Sequence, residues 1–356
     1  MLMSIDQAIA RWDDLDAIID VRSPAEWLLD HIPGAINAPV LSNEERIEIG
    51  TLYKTSAFEA KKRGAALVAR NIAMALEDTF AQQPRGWRPL VYCWRGGNRS
   101  HALATVMHRI GWKVAVLEGG YAAYRKYVIS DLERCAQRLS YTVICGVTGS
   151  GKTAALRQLE AQGHQVLDLE RLAHHRGSLL GHEPTGAQPS QKYFETQIWN
   201  TLRRFTPDRP VFVESESRKI GAVQLPEALI QKMRDSDCIE LLPPMSERVM
   251  FLCREYDHFF KAADTLIAQL SRLTPLVGHE RLQQWIDLIH AQRWPELVES
   301  LLIHHYDPTY TASMRRNYAR YPQAERMSAH SGSFGSPATG AVCTNSAYRS
   351  VYTNTP

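Results

Sequence analysis

The chain has 356 residues, of which 44% are hydrophobic and 22% are charged, and this length suits two domains with a core each. The net charge of +3 permits a nucleic-acid partner without indicating one. Because no apolar run approaches the roughly 20 residues of a membrane span and no secretory signal pattern opens the chain, we expect a cytoplasmic protein without a membrane partner.

The first predicted domain, residues 5–128, alternates short apolar runs with helical patterns. Strands are predicted at residues 17–21, 90–92 and 114–117, and helices at residues 59–81 and 100–110. Strands that alternate with helices are typical of a parallel sheet covered by helices. The fold class predicted for this region is therefore α/β.

A second strand–helix series follows a predicted linker at residues 129–141, which is polar with a helical pattern. The strands predicted in this series lie at residues 141–145, 165–168 and 210–213. After about residue 245 apolar residues recur at helical spacing around Trp285 and Leu297.

These patterns predict a second α/β domain at residues 142–325, with a helical C-terminal part. Residues 326–356 are rich in Ser, Gly, Thr and Ala and have no periodicity. Such a composition cannot bury enough apolar surface to offset the entropy of folding, so we predict a disordered tail.

Cys93 lies in the loop Tyr-Cys-Trp-Arg-Gly-Gly-Asn-Arg-Ser, residues 92–100, between a predicted strand and a predicted helix. A glycine-rich junction of this kind turns backbone N–H groups inward and forms a cup for an anion. Those donors and the helix N-terminus stabilise a thiolate at the base of the cup. Arg95 and Arg99 can add charge-assisted hydrogen bonds to a bound oxyanion. The loop therefore predicts a nucleophilic Cys93, with Arg95 and Arg99 as its catalytic partners.

Three motifs of the first domain resemble the rhodanese family. They are Asp-Val-Arg-Ser-Pro-Ala-Glu-Trp at 20–27, His-Ile-Pro-Gly-Ala-Ile-Asn at 31–37 and Leu-Glu-Gly-Gly-Tyr at 117–121. The resemblance covers the whole first domain and implies a rhodanese-like fold with a parallel sheet. It also implies that Cys93 carries a transferable sulfur or selenium as a per-anion, while Asp20 and Arg22 brace the loop.

The cysteine loop departs from small sulfurtransferases in its length. The loops of those enzymes resemble the pattern Cys-x4-Arg, whereas in this chain five residues separate Cys93 from Arg99, which gives the pattern Cys-x5-Arg. One extra residue widens the cup, which suits a tetrahedral phosphate-like group. Phosphatases and arsenate reductases related to rhodaneses have a loop of this length. The loop alone therefore leaves such an enzyme as an alternative, although no aspartic general acid lies in it.

Residues 146–153, Gly-Val-Thr-Gly-Ser-Gly-Lys-Thr, fit the phosphate-binding pattern G-x-x-x-x-G-K-[ST] directly after a predicted strand. Their N–H groups can cradle a diphosphate, Lys152 can neutralise it and Thr153 can bind Mg²⁺. The sequence thus predicts a P-loop of the NTPase type at the start of the second domain.

Acidic residues follow the next two predicted strands. Asp168 and Glu170 lie where P-loop kinases often place substrate or metal ligands, and Glu214 and Glu216 replace the aspartate common in hydrolysing ATPases. For each acid a solvated strand end is the alternative. Arg248 and Arg254 are interpreted either as a lid over the phosphates or as parts of a surface helix. The predicted ligand-binding residues are Gly146, Gly149, Ser150, Gly151, Lys152, Thr153, Asp168, Glu170, Glu214, Glu216 and Arg218.

The combination of both loops resembles the tRNA 2-selenouridine synthase family, to about residue 322. Further stretches that resemble this family lie at residues 168–178, 188–191, 214–221 and 306–310. The family implies a transferase that acts on the wobble 2-thiouridine of certain tRNAs. The thiouridine is first S-geranylated with geranyl diphosphate, and selenium from selenophosphate then displaces the geranylthio group.

Carried to this chain, the resemblance makes Cys93 the selenium-carrying nucleophile and has Arg95 and Arg99 hold selenophosphate. The P-loop would hold the diphosphate of the geranyl donor, phosphates of tRNA or a nucleotide. No tightly bound cofactor is expected, since selenophosphate and geranyl diphosphate are co-substrates. Mg²⁺ is the ion that could accompany the phosphate groups. A nucleotide-driven sulfur relay, in which the P-loop hydrolyses ATP, is a further alternative.

Basic and aromatic segments are candidates for contacts with tRNA. They are Arg203-Arg204, Arg218-Lys219 and residues 315–321, whose tyrosines could stack on unpaired bases, and a solvated helix face is the alternative for each. No metal site is predicted. None of the six cysteines forms a CxxC pair, and the histidine pairs at 174–175 and 304–305 lack further ligands at useful spacing.

Overall fold

The computed structural model describes residues 1–175, 186–260 and 262–328. The chain forms two compact units, each built from segments that are separate in the sequence. The first unit contains Met1–Arg138, Leu169–Arg204 and Glu216–Ile230, and the second contains Leu139–Asp168, Phe205–Ser215 and the residues from Gln231 onward. Most of the predicted disordered tail, from residue 329, lies outside the described residues, as do residues 176–178 of a motif noted above.

The secondary structure begins with a short strand, and strands are interspersed with helices as far as residue 241. The strands are β1 Leu2–Met3, β2 Ala17–Asp20, β3 Ile36–Asn37, β4 Pro89–Tyr92, β5 Ala115–Leu117, β6 Tyr141–Cys145, β7 Gln165–Leu167, β8 Val211–Glu214, β9 Lys219–Ile220, β10 Val223–Gln224, β11 Asp237–Leu241 and β12 Glu325–Met327. The helices are α1 Ile5–Ala10, α2 Pro24–Leu29, α3 Asn43–Thr55, α4 Ala57–Asp78, α5 Asn98–Ile110, α6 Gly120–Arg138, α7 Lys152–Ala161, α8 Leu169–Ala173, α9 Gln191–Leu202, α10 Glu227–Arg234, α11 Met245–Glu255, α12 Asp257–Phe260, α13 Ala263–Leu270, α14 Thr274–Val277, α15 His279–His290, α16 Trp294–Leu301 and α17 Asp307–Asn317.

The first unit is built on a parallel sheet with the strand order β1-β5-β4-β2-β3. The strands predicted at 17–21, 90–92 and 114–117 are β2, β4 and β5, so the predicted α/β class is confirmed here. The edge strands β1 and β3 were not predicted, because two residues are too few to show a periodic pattern.

Helices α4 and α5 supply apolar residues to the core of this unit. Leu103 and Met107 of α5 are fully buried, one turn apart, and pack with Ile19 and Val91 of the sheet. Burying a side chain of this size contributes about 1.5–3 kcal/mol. The buried strand ends thereby place the loop after β4 above a rigid core.

The second unit is built on another parallel sheet, with the order β12-β11-β6-β8-β7. The strands predicted at 141–145, 165–168 and 210–213 are β6, β7 and β8. Strand β11 was not predicted, because Asp237 and Glu240 interrupt its apolar run. The helical pattern predicted after residue 245 is confirmed, and Trp285 and Leu297 are both buried.

The predicted linker at 129–141 contains the second half of α6. This helix packs against α9, which buries Phe194, Ile198, Trp199 and Leu202. The Trp199 indole N–H donates to Asp131 at 2.9 Å. The segments that follow β7 and β8 along the chain therefore belong to the first unit. A single boundary at the predicted linker, residues 129–141, does not separate the two compact units.

Candidate functional site

Cys93 directly follows β4, at the start of the loop that leads to α5. It is buried, with only 3% of the residue exposed. The Gly97 backbone N–H donates to its Sγ at 3.2 Å, and the Ser100 hydroxyl lies 3.3 Å from Sγ. Ser100 was not among the predicted catalytic residues, although its place in the first turn of α5 brings it back towards the thiol. The thiol thus lies among the hydrogen-bond donors that a thiolate needs.

The contacts of Cys93 favour its thiolate form. Burial raises the pKa of Cys93, but hydrogen bonds from Ser100 and Gly97 and the charge of Arg99 outweigh it, so the pKa lies below the ordinary thiol value. Burial raises the pKa of Cys135 to about 11, and it also raises the pKa of Cys253. Cys93 is therefore the best nucleophile of these three cysteines.

The motif at residues 117–121 supports the cysteine loop from behind. The Tyr121 N–H donates to the Cys93 carbonyl at 2.8 Å, and the next N–H donates to the Trp94 carbonyl at 3.0 Å. Gly96 has a φ of +64°, and a Cβ at this position would lie 2.6 Å from the Leu117 carbonyl oxygen. A side chain there would force the two motifs apart, which explains the glycine.

The two predicted arginine partners of Cys93 differ in their surroundings. Arg99 is mostly buried and forms a bidentate ion pair with Glu26 of α2, at 2.8 and 3.4 Å. Arg95 is exposed and forms no ion pair with any residue in the described part of the chain. Glu26 was missed by the sequence reasoning, and the signal available was only its place in the 20–27 motif. Its role is to fix the Arg99 guanidinium beside the loop.

Asp20 and Arg22 form a buried ion pair under the motifs, with Nη2 and Oδ2 2.6 Å apart. The Arg22 guanidinium also lies 4.0 Å from the centroid of the Tyr121 ring. The Tyr121 hydroxyl in turn donates to Asp30 at 2.7 Å. This network links the rhodanese-like motifs at residues 20–27 and 117–121, in agreement with a bracing role for Asp20 and Arg22.

The P-loop at residues 146–153 joins β6 to α7, which is the predicted strand-to-helix setting. The Lys152 ammonium group donates to the Gly146 carbonyl at 2.8 Å and therefore lies within the loop. Gly149 has a φ of +79°, and a Cβ there would lie 3.0 Å from the Leu252 side chain. Ser150 is buried, with 4% exposed.

Two of the predicted acids lie at the same sheet edge as the P-loop. Glu214 ends β8, which pairs with β6, and Asp168 follows β7, which pairs with β8. Both residues are buried. Because the carboxyl ends of parallel strands meet at one edge, the second unit brings residues 146–153 together with Asp168 and Glu214.

Three further residues predicted to bind the ligand belong to the first unit instead. Glu170 lies on α8, Glu216 follows β8 and is half-buried, and Arg218 is exposed. Arg218 forms an ion pair with Glu227 at 3.1 Å. Their role in binding a ligand stays a prediction.

Arg248 does not form a lid over the P-loop in the structure. Arg248 is buried, with 5% exposed, and its Nε donates to the Thr148 carbonyl of the P-loop at 2.9 Å. Its two terminal nitrogens bind Asp307 at 2.9 and 2.6 Å. Arg254 is exposed and donates to the Met250 carbonyl of its own helix.

In the predicted tRNA-binding segments at 203–204 and 315–321, the tyrosines are buried and most of the arginines are exposed. Tyr318 and Tyr321 are buried, with 2% and 9% exposed, so stacking of these rings on bases is ruled out in this conformation. Arg203 is half-buried, and its guanidinium lies 4.8 Å from the Trp12 ring and 5.1 Å from the Trp199 ring. The exposed cations of these segments include Arg204, Arg315 and Arg316.

Among the residues that the structure describes, no cluster of three or more His, Cys, Asp or Glu side chains is arranged to hold a metal ion. The same part of the chain contains no helix with the length and apolar character needed to cross a bilayer.

Comparison with known families assigns both halves of the chain. Residues 4–127 match the rhodanese-like domain, and residues 139–331 match the tRNA 2-selenouridine synthase AAA domain. These matches confirm the two resemblances found in the sequence.

Curated relatives named tRNA 2-selenouridine synthase match most of the chain. The protein of Nitrosomonas europaea is 36% identical over 68% of this chain and 66% of its own length. The protein of Alcanivorax borkumensis is 31% identical over 84% of this chain and 90% of its own length. The protein of Marinobacter nauticus is 32% identical over 82% and 87%, respectively. With a rhodanese-like cysteine loop, a P-loop and these relatives, the chain belongs to the tRNA 2-selenouridine synthase family.

Proposed function

We propose that this protein is a transferase that replaces sulfur by selenium at the wobble 2-thiouridine of tRNA, after S-geranylation of that thiouridine. Membership of the family supports the substrate class. The observation that carries the chemistry is the Cys93 thiol, which is buried among N–H and hydroxyl donors and has a lowered pKa.

Selenophosphate is the donor assigned to the cysteine loop. The Cys-x5-Arg spacing of Cys93 and Arg99 gives a cup wide enough for a tetrahedral anion. Arg99, which Glu26 holds in place, and the exposed Arg95 supply positive charge around that cup. In this proposal the Cys93 thiolate attacks the phosphorus of the bound donor, an S–P bond forms as the P–Se bond breaks, and the selenide that leaves attacks C2 of the geranylated base.

The overall exchange balances without an oxidant or a reductant. At C2 of the base, a C–S bond to the geranylthio group breaks and a C–Se bond forms, and geranylthiol leaves. Water takes the phosphoryl group of selenophosphate, which is released as phosphate. Selenium enters at the selenide level and stays there, so the reaction is a substitution.

Geranyl diphosphate is the ligand assigned to the P-loop. Transfer of the geranyl group forms a C–S bond to the thiouridine, breaks the C–O bond of the donor and releases diphosphate. Lys152 and the loop N–H groups would stabilise the charge on that leaving group. Magnesium fits as a partner of the diphosphate, with Thr153 as a protein oxygen, since Mg²⁺ is often bound by few protein groups together with phosphates.

Two variants separate the steps. We expect Lys152→Ala to abolish geranylation of thiouridine tRNA while Cys93 still cleaves selenophosphate, measured as released phosphate. We expect Cys93→Ser to geranylate tRNA but to form no selenouridine, as measured by nucleoside mass spectrometry. Loss of both steps in Lys152→Ala counts against the P-loop assignment, and normal selenium insertion by Cys93→Ser overturns the role of the thiolate.

A further inference from the structure

Three side chains outside the phosphate-binding motif hold the P-loop in place. They come from α11 and α17 of the second unit, and we call them the loop brace: Arg248, Asp307 and Tyr310. None of them was among the predicted ligand-binding residues. Asp307 and Tyr310 belong to the segment at 306–310, to which the sequence attached no role.

Tyr310 contacts the first residue of the P-loop. The Gly146 backbone N–H donates to the Tyr310 hydroxyl at 2.7 Å, and the same hydroxyl lies 2.7 Å from the Ser215 hydroxyl. Burial raises the pKa of Tyr310 far above its ordinary value, so the hydroxyl stays protonated and keeps a hydrogen to donate to Ser215. The Tyr310 ring also faces the Lys152 ammonium group, 5.4 Å from the ring centroid.

Arg248 contacts the middle of the P-loop. Its Nε donates to the Thr148 carbonyl, which fixes the orientation of this peptide group in the loop. In the same region α11 approaches the loop closely, because a Cβ at Gly149 would lie 3.0 Å from Leu252.

Asp307 connects the contact made by Arg248 with the contact made by Tyr310. It binds both terminal nitrogens of the Arg248 guanidinium, and it precedes Tyr310 by three positions on α17, which places both on neighbouring turns. A π-helical turn at Leu302–Tyr306 leads directly into this helix. Such turns often occur where a helix presents functional groups. The loop is therefore held at Gly146 by Tyr310 and at Thr148 by Arg248, and Asp307 pairs with Arg248 from the same helix as Tyr310.

We propose that the loop brace sets the affinity of the P-loop for a diphosphate group, by keeping its N–H groups in the conformation that receives phosphate. The inference rests on the proposed function, in which the P-loop binds a diphosphate. A cradle of N–H groups binds an anion well only when its geometry is formed before binding, because reorganisation subtracts from the binding free energy. Arg248, Asp307 and Tyr310 are thus positioning residues and do not themselves contact the diphosphate.

The test is isothermal titration calorimetry, in which the full-length protein is titrated with inorganic pyrophosphate in the presence of Mg²⁺ and the dissociation constant is measured. We expect Tyr310→Phe, Arg248→Lys and Asp307→Asn each to raise the dissociation constant about five- to tenfold, the loss expected for one or two buried hydrogen bonds. With geranyl diphosphate as substrate, KM should rise by a similar factor while kcat stays close to the wild-type value.

Two matched controls separate the brace from general effects on folding. Tyr306→Phe removes a hydroxyl that makes no hydrogen bond within the described residues, four positions before Tyr310. Arg281→Lys changes a half-buried arginine of α15 that binds Gln284. We expect both to bind pyrophosphate like the wild type.

The outcomes distinguish this inference from the function on which it rests. If Lys152→Ala loses pyrophosphate binding but the loop-brace variants bind pyrophosphate like Tyr306→Phe, the proposed role of the loop brace is wrong. The assignment of the P-loop to a diphosphate then still stands. If the wild type itself shows no saturable binding of pyrophosphate, the diphosphate assignment fails and the brace fails with it. A fall in kcat without a rise in KM also overturns the brace as a determinant of affinity.

Discussion

At the scale of single residues, the reactivity of Cys93 depends on a competition between burial and hydrogen bonding. Its lowered pKa predicts that the thiolate forms at a lower pH in the folded protein than in the denatured protein, where the thiol titrates near its ordinary value of about 8.5. The measurement is the thiolate absorbance at 240 nm against pH, taken as the difference between wild type and Cys93→Ser. A midpoint at or above that of the denatured protein would contradict the assigned environment.

Ser100 supplies the largest of the contributions that lower this pKa. We therefore expect Ser100→Ala to move the midpoint of the Cys93 titration upward, because the thiolate loses this hydrogen bond. Thr105→Ser serves as a control on the same helix, because the Thr105 hydroxyl binds the His101 carbonyl and does not contact Cys93. An unchanged midpoint in Ser100→Ala would show that the backbone donors alone stabilise the thiolate.

At the scale of elements, the cysteine loop at 92–100 and the motif at 117–121 depend on each other for their shape. A side chain at Gly96 would combine a strained φ of +64° with contacts of 2.6 Å to Leu117 O and 3.1 Å to Gly119 N. We expect Gly96→Ala to destabilise the first unit by about 2 kcal/mol or more, because both the backbone and the loop must shift.

Thermal unfolding followed by circular dichroism measures this effect, with an expected fall in Tm of about 5 °C. Gly86→Ala is the matched control, since a Cβ there meets no heavy atom within 4 Å. Equal stability of the two variants would contradict the close packing of the motifs. Selenium transfer should fall in Gly96→Ala, because the displaced loop carries the Cys93 carbonyl and the Gly97 donor.

At the scale of the whole molecule, each compact unit contains the side chains assigned to one step. Cys93, Arg99 and Glu26 belong to the first unit, and Lys152 with the P-loop belongs to the second. We therefore expect a mixture of Cys93→Ser and Lys152→Ala proteins to form selenouridine, although neither variant does so alone. Geranylated tRNA should appear first and selenouridine later, in nucleoside analysis over time. Absence of selenouridine from the mixture would mean that the intermediate does not pass between protein molecules.

Much of the candidate chemistry was predictable because it is encoded in short contiguous segments. The cysteine loop at 92–100 and the P-loop at 146–153 each combine glycines, a reactive residue and a strand-to-helix junction within fewer than ten positions. Strands β2, β4, β6, β7 and β8 were predictable because apolar runs mark buried parallel strands. Strand β11 was not, since Asp237 and Glu240 break its pattern.

Local patterns in the chain were enough to predict the α/β class, the two anion-binding loops and the family, because backbone conformation over a few residues follows from glycine and apolar spacing. The distant groups that complete each loop became visible from the folded chain alone. Glu26 reaches Arg99 across 73 positions, and Tyr310 reaches Gly146 across 164. The folded chain also packs α9 with α6 in the first unit. Such contacts depend on how whole helices and sheets pack, and no local pattern in the chain carries that information.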